Sequence, residues 1–141
     1  MIYNYAERKI VAVINEALPT GKAMNALGHM AFAAGHYTDG SWMGQNPIRD
    51  ADGKPHRGIA RHAFIVVKAS AEEINAIRSK ETKNEVEITE YMQEMFDTST
   101  DEKLVKVIQG KKTNELEYHA ILLVGMSETV AKLTGHLKLY K

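Results

Sequence analysis

The sequence predicts an α/β fold in which helices cover an at least partly parallel sheet. Two continuously apolar runs, Lys9–Ile14 and Tyr118–Gly125, have the composition of strands that are buried on both faces. Between them, strand-like segments alternate with segments whose apolar residues recur at helical spacing, a pattern typical of α/β domains. The 141 residues are enough for one such domain with its own core, spanning residues 1–141.

The first half of the chain contains two predicted strands after which helices begin. After the first strand, Thr20 can cap a helix that ends at about Gly35, a natural stop. His62–Lys68 is β-branched and apolar and is the second predicted strand. Ser70 and Glu73 then stand in the spacing of a capping box, which predicts the start of a second helix.

The second half continues the alternation. A third strand is predicted from Val86, where apolar and polar residues alternate. The following helix can be capped by one of three consecutive hydroxyl residues: Thr98, Ser99 or Thr100. A last short helix is predicted from Ser127, as its cap, to about Thr134.

The segment of residues 36–61 interrupts this alternation and is predicted to be a Gly-rich loop insertion. It holds four glycines, two prolines and the only tryptophan, Trp42. A structureless connection of this length in a domain is usually functional, disordered or wrongly assigned. We expect Trp42 to anchor it to the body of the domain or to a partner subunit. Asp50–Lys54 resembles half of a calcium loop, but its glycine comes two positions early, so a turn is predicted.

Composition excludes several classes of function. The chain has no cysteine, which excludes disulfides, thiolate catalysis and cysteine-bound zinc. The six histidines form no His-x-x-x-His pair, so no metal site is predicted. Eighteen basic and eighteen acidic residues give no net charge and therefore no support for nucleic-acid binding. The N-terminus lacks a signal-peptide pattern and no apolar run could span a bilayer, so the cytoplasm is the expected compartment.

The stretch "LPTGKAMNALGH", residues 18–29, has the order of a phosphate-binding loop but fails its tests. A Walker A motif needs a glycine at position 16, where Glu16 stands, and Ser or Thr at position 23, where Ala23 stands. No Gly-x-Gly-x-x-Gly fingerprint is present, and no cofactor is predicted. A helix N-terminus with Lys22 in its first turn could still hold a phosphate, a carboxylate or an oxyanion. The alternative is a solvated lysine.

Helical spacing after Lys22 predicts a sparse polar stripe. One face is predicted to carry Met24, Leu27, Ala31 and Ala34. The nearly opposite side carries Lys22, Asn25, His29 and, if the helix extends far enough, His36. Lys22 is the only charged residue from Thr20 to Gly35, which indicates that the polar side is partly covered by another element, a subunit or a ligand. A packing or dimer interface rich in small residues explains the pattern equally well.

A second group of candidate site residues follows the third predicted strand. Strand ends in open α/β sheets commonly supply site residues. Asp97, Thr98 and Thr100 stand at this place in the sequence. The alternative for the threonines is helix capping.

Both ends of the chain resemble type II peptidyl-tRNA hydrolases. Residues 9–35, "KIVAVINEALPTGKAMNALGHMAFAAG", are similar to that family's opening strand, loop and helix, with a histidine seven residues after the Gly-Lys lysine. Lys22 and His29 reproduce this spacing. Residues 130–140, "VAKLTGHLKLY", resemble the closing segment, where Thr-Gly-x-Leu-Lys-Leu is typical.

Other positions depart from that pattern. The family's second Gly-Lys is replaced by "LPT", and its glutamine four residues after the lysine is Ala26. Its Asp-Ala-Gly segment is matched only loosely at Asp97, and the loop of residues 36–61 is additional. The sequence is therefore closer to an uncharacterised bacterial sister family, a domain-of-unknown-function group. The resemblance implies a three-layer α/β/α sandwich with a four-stranded mixed sheet, often dimeric.

The resemblance implies hydrolysis of the ester of peptidyl-tRNA or of a related substrate. In this hypothesis Lys22, with the helix N-terminus, stabilises an oxyanion or phosphate, Asp97 is the base or orients water, and His29 is an alternative base. The predicted substrate-binding residues are Gly21, Asn25, Thr98 and Thr100. The partners would be tRNA and a second copy of the chain. A non-catalytic binding or dimerisation module on the same fold is the rival hypothesis, and a hydrolase of a small ester or amide is a third.

Overall fold

A five-stranded mixed sheet forms the centre of the fold in the computed structural model, which describes residues 5–80 and 85–141. Its strands are β1 (Arg8–Asn15), β4 (Ala63–Ala69), β5 (Glu87–Met92), β6 (Tyr118–Met126) and β7 (Lys138–Leu139). The spatial order is β5-β6-β1-β4-β7. β1 and β4 run parallel, and the other neighbours are antiparallel. The predicted mixed α/β fold is therefore confirmed.

Five α-helices connect or flank these strands in the described parts of the chain. They are α1 (Thr20–Tyr37), α2 (Ala71–Lys80), α3 (Gln93–Asp97), α4 (Asp101–Gln109) and α5 (Ser127–Thr134). Two further strands, β2 (Ile48–Arg49) and β3 (Pro55–His56), pair only with each other. None of the helices in residues 5–80 and 85–141 is long and apolar enough to cross a membrane. Residues 1–4, which belong to the N-terminal segment that lacks a signal-peptide pattern, lie outside the described residues.

Helices pack on both faces of the sheet because the central residues of β1 (Ile10–Ile14) and β6 (Ala120–Val124) are all apolar. On one face, Val11 and Val13 pack with residues of α2 and α5, including Ile74 and Val130. On the other face, the alternate residues of β1 pack against the alanines and Met30 of α1. This burial explains why the strands are continuous apolar runs and do not alternate with polar residues.

The expected number of four strands is wrong, because β7 adds a fifth. Lys138 and Leu139 pair with Lys68 and Val67 of β4 at the edge of the sheet. Both β7 residues are exposed. A two-residue edge strand without a buried face leaves no hydrophobic pattern to detect.

The predicted helix caps are confirmed in α2 and α4 and wrong in α1 and α5. Ser70 and Glu73 form the reciprocal hydrogen bonds of a capping box. Thr100 accepts a hydrogen bond from the backbone N–H of Lys103. Thr20 and Ser127 do not cap, because each is already the first helical residue. The residues at the cap positions, Pro19 and Met126, have extended backbones and no capping side chain.

The segment of residues 36–61, predicted as a Gly-rich loop insertion, contains short stretches of regular structure. Its first residues, His36 and Tyr37, extend α1 beyond the predicted stop. Backbone bonds then join residues 42–44 to residues 59–61, and β2 and β3 form a hairpin tip. The expected turn is confirmed, since Asp50 accepts backbone hydrogen bonds from Asp52 and Lys54. Trp42 packs on the α1 side of the core, which makes it an anchor to the body of the domain.

Gly58 is required by the close approach of two backbone segments inside this loop. A Cβ on Gly58 would lie 2.1 Å from the backbone oxygen of Gln45. We expect Gly58→Ala to lower the free energy of unfolding by about 1–3 kcal/mol, because the backbone must move to remove this overlap. Denaturant unfolding followed by the fluorescence of Trp42 measures the change.

Gly40→Ala is the matched control, since a Cβ there meets no atom within 4 Å. Equal stability of the two variants would show that the loop relaxes around Gly58 without cost.

Candidate functional site

Helix α1 brings the predicted residues Lys22, Asn25 and His29 to one pair of aromatic rings. The Nζ atom of Lys22 lies 5.3 Å from the ring centroid of Phe96. The hydroxyl of Tyr91 donates to Oδ1 of Asn25 at 3.5 Å, and the ring of His29 lies 5.7 Å from that of Tyr91. The polar stripe therefore faces Tyr91 at the end of β5 and Phe96 near the end of α3.

The two aromatic rings connect these elements. Tyr91 is the penultimate residue of β5, and Phe96 belongs to α3. Their ring centroids are 4.7 Å apart. Burial raises the pKa of the Tyr91 hydroxyl above its ordinary value, so it remains a neutral donor toward Asn25 near pH 7.

A hydrogen-bonded chain of three side chains lies beside this aromatic pair. Nε2 of Gln93 donates to Oδ1 of Asp97 at 2.8 Å. The amide oxygen of Gln93 is hydrogen-bonded to Nε2 of His119. Because an amide oxygen only accepts, Nε2 of His119 carries the proton. Nδ1 of His119 is buried and has no hydrogen-bond partner among residues 5–80 and 85–141.

A β-bulge places His119 on the α1 side of the sheet. Tyr91 pairs with Ala120 while Met92 pairs with Tyr118, so His119 is the extra residue of β6. Tyr118 consequently packs on the opposite face from Ala120. The His119 ring lies 5.7 Å from that of Phe96, the ring that Lys22 also approaches.

An ion pair stabilises α3 on its other side. Nζ of Lys111 is 2.8 Å from Oε1 of the buried Glu94. Burial opposes ionisation of Glu94, but the hydrogen bond from Lys111 and backbone donors lower its pKa below the ordinary 4.5. The same hydrogen bond, and the nearby charge of Asp97, raise the pKa of Lys111.

The Lys111→Met variant is expected to lose stability in a pH-dependent way. The lowered pKa of Glu94 contributes stability above pH 4.5 that is lost as the pH falls through the folded-state value. The raised pKa of Lys111 contributes stability below pH 10.5, and this stability is lost as the pH rises through the folded-state pKa of Lys111. The denaturant midpoint of the variant should therefore fall most at neutral pH, and approach that of the wild type in acid. A difference that is constant with pH would contradict this origin.

The two candidate threonines make structural hydrogen bonds at the edge of a cavity. Oγ1 of Thr98 donates to the backbone oxygen of Glu94 at 2.8 Å, and Thr100 caps α4. Both residues line a cavity of about 380 Å³, together with His29 and Tyr91. The capping alternative is confirmed for Thr100, and both side chains still border open space.

The face of α1 that was predicted to be apolar and buried differs from the face that packs against the sheet, so this prediction is wrong in part. The buried residues are Ala23, Ala26, Met30 and Ala34, whereas Met24 is 68% exposed. Alanine lets the helix backbone come close to the sheet, so small residues define the packed side. The exposed residue Gly21 lies at the start of the helix, and His36 near its end contacts the ring of Tyr37.

Gln93, His119, Tyr91 and Phe96 were not singled out from the sequence. The spacing of Gln93 and Asp97, four residues apart after a strand, was a usable signal for a helical pair. Within residues 5–80 and 85–141 there is no group of three or more His, Asp or Glu side chains that could hold a metal ion.

The comparisons with known proteins identify a family and a fold. Residues 8–141 match the model of a family described as protein of unknown function, DUF2000. A solved structure, the protein of unknown function Atu0240 from Agrobacterium tumefaciens strain C58, superposes with a TM-score of 0.83. That likeness covers 95% of this chain and 98% of the other at 20% identity, and it shows a shared fold. No curated protein matches the chain.

The expected membership of a domain-of-unknown-function group is thus confirmed. Neither match connects the chain with peptidyl-tRNA hydrolases. Because the family model spans almost the whole sequence, this chain belongs to the DUF2000 family.

Proposed function

We propose that the chain is a peptidyl-tRNA hydrolase II-like enzyme that cleaves the ester of peptidyl-tRNA or of a related substrate. One observation carries the proposal. Lys22, Asn25 and His29 contact the same aromatic pair that adjoins the chain of Asp97, Gln93 and His119. Lys22 of α1 approaches Phe96 of α3, the helix that also carries Asp97, and the proposed ester hydrolysis uses this cation and this carboxylate.

The proposed reaction assigns a separate role to each group. Asp97 takes a proton from water as the water oxygen adds to the ester carbonyl carbon. Lys22 stabilises the oxyanion of the tetrahedral intermediate. The bond between the carbonyl carbon and the ribose oxygen then breaks. Asp97 gives the proton that it took from water to the ribose oxygen, which leaves as a hydroxyl group. Asn25 and His29 orient the substrate, with His29 as the alternative base.

The N-terminus of α1 supports an anion-binding role for this end of the helix. Pro19 supplies no capping side chain, and the first turn contains no acidic residue. Gly21 carries no side chain, and a Cβ there would meet no atom within 4 Å. The first turn itself therefore contributes no carboxylate that would compete for its backbone N–H groups or for Lys22.

The sandwich arrangement of peptidyl-tRNA hydrolase II is part of the proposal. Helices on both faces of the sheet, α1 on one and α2 with α5 on the other, are compatible with it. The same proposal includes tRNA as partner and the cytoplasm as compartment.

Turnover of N-acetyl-phenylalanyl-tRNA by the wild-type protein tests this function. We expect release of N-acetyl-phenylalanine and tRNA above the rate in buffer. Gel shifts at increasing salt should show tRNA affinity that falls steeply, because phosphate contacts release counterions. A folded protein that neither cleaves nor binds the substrate would overturn the proposal. Cleavage of p-nitrophenyl acetate without cleavage of the tRNA ester would favour a small-ester hydrolase.

A second candidate function, a non-catalytic dimerisation module, is favoured by the outer face of α1. Phe32 is 87% exposed and Met24 is 68% exposed. A Cβ on the neighbouring Gly28 would meet no atom within 4 Å, so the packing of this chain does not require that glycine. Mid-helix glycine is destabilising and permits close approach by a partner.

Sedimentation velocity of the wild type and Phe32→Glu distinguishes this candidate. The dimerisation hypothesis expects a dimer that the variant dissociates and no ester cleavage by either protein. A wild-type monomer at high concentration would exclude it.

A further inference from the structure

A second, larger cavity of about 550 Å³ lies on the same face of the sheet, at the C-terminal half of α1. Its floor is formed by Ile10, Leu122 and Val124 of β1 and β6. Its other walls belong to α1, to the loop of residues 36–61, to Tyr5 and to residues 62–64. It shares no described lining residue with the cluster around Lys22, so it is independent of the proposed hydrolase function.

The side of the cavity formed by α1 is lined with small residues. Ala31, Ala34 and Gly35 face it, and a Cβ on Gly35 would meet no atom within 4 Å. The space is partly open to solvent at the rim formed by Ile59 and Phe64. Larger side chains at these positions would have filled it.

Hydrogen bonds join the two segments of the loop that form the roof of the cavity, residues 42–44 and 59–61, and attach the loop to β1. The backbone N–H of Gly44 donates to Ile59 at 2.7 Å, and that of Arg61 donates to Trp42 at 3.0 Å. The Arg8 guanidinium lies 4.3 Å from the Trp42 ring centroid and donates two hydrogen bonds to Ser41. The roof is therefore fixed in place, and the cavity does not depend on a loose loop.

The chemistry of the lining selects the ligand. Among the described lining residues there is no Asp, Glu, Lys or Arg. The described side chains with polar atoms that border the cavity are Tyr5, Thr38, Trp42 and His62. Apolar side chains at its rim are left in contact with solvent, including Ile59 at 74% and Phe64 at 41% exposure. An apolar ligand would remove this surface from water.

We infer that the cavity binds a small, uncharged and largely apolar molecule that carries a hydrogen-bonding group. Its volume lies within the range of about 300–1,000 Å³ that is usual for small-molecule sites. An uncharged ligand follows from the lining, because an ionised group would lose its hydration without gaining a countercharge. The hydrogen-bonding group is recognised by the hydroxyl of Thr38, which can donate and accept.

Two dyes with the same aromatic frame test this inference. N-Phenyl-1-naphthylamine is uncharged, and 8-anilinonaphthalene-1-sulfonate adds one sulfonate. Trp42, the only tryptophan, lines the cavity and is the energy donor for a dye bound there. We expect energy transfer from Trp42 to the uncharged dye, and at least about tenfold weaker binding of the sulfonate, a difference of about 1.4 kcal/mol. Equal affinity for both dyes, or no binding of the uncharged dye, would overturn the inference.

Two variants locate the dye in the cavity. Ala31→Phe fills its wall, and Ile59→Glu places a carboxylate at its exposed rim without disturbing the core. Both should weaken binding of the uncharged dye at least tenfold, while Gly28→Ala on the outer face of the same helix should not. The Ile59→Glu variant decides the matter if Ala31→Phe does not fold. Unchanged affinity in Ile59→Glu would contradict the site. A second result would also contradict the site: the wild-type protein forms a dimer and binds no dye, and Ile59→Glu dissociates that dimer. The cavity would then be part of a subunit interface.

Discussion

Replacement of Lys22 with alanine is expected to lower the rate of peptidyl-tRNA cleavage about 100-fold, the usual effect of removing one donor from an oxyanion site. The side chain is exposed, and its ammonium group lies over the ring of Phe96 without a carboxylate partner within 4.0 Å in the described residues. The loss should therefore be in kcat, with little change in the free energy of unfolding. Single-turnover hydrolysis of N-acetyl-phenylalanyl-tRNA measures it.

Lys132→Ala is the matched control for the removal of one positive charge. Lys132 is 74% exposed on α5, on the opposite side of the sheet, and pairs only loosely with Glu128. Its activity and tRNA affinity should equal those of the wild type. If Lys22→Ala is as active as Lys132→Ala, Lys22 has no role in the reaction.

Asp97→Asn is expected to lower kcat by about 100- to 10,000-fold, the range for loss of a general base. The substitution is informative because an asparagine oxygen can still accept the 2.8 Å hydrogen bond from Gln93. The orientation of Gln93 and His119 is thus retained while the basic group is lost. Thermal unfolding should show nearly wild-type stability.

Asp52→Asn provides the control, since Asp52 is exposed at the tip of the hairpin loop. Full activity in Asp97→Asn would show that Asp97 only positions Gln93. The base would then have to be another group, and His29 is the next to replace.

The sequence was sufficient to predict the elements that are buried on two sides. Helices cover both faces of the sheet, so the central residues of β1 and β6 are apolar without interruption. Such a run can be recognised from the amino-acid composition of the segment alone. β7 and the β2–β3 hairpin have exposed two-residue strands. Their backbone pairing depends on tertiary position, which leaves no periodic signal in the sequence.

The same distinction applies to the candidate site. Lys22, Asn25 and His29 could be grouped from sequence because helical periodicity fixes their common side. Gln93 and His119 are far apart in sequence and meet because β5 pairs with β6 through a bulge at His119. A regular strand would have directed His119 to the other face, so no pattern in the sequence could have placed it near Phe96.

Titration of the 15N-labelled wild-type protein with an amide-linked analogue of the peptidyl-tRNA end is the most direct test of the site. In 3′-(N-acetyl-phenylalanylamino)-3′-deoxyadenosine extended by two cytidines, the ester is replaced by a stable amide. We predict chemical-shift changes at Gly21, Lys22, Asn25 and His29 of α1, and at Phe96 and Asp97 of α3. Binding that leaves these residues unchanged, or no binding at millimolar concentration, would contradict their assignment to a hydrolytic site.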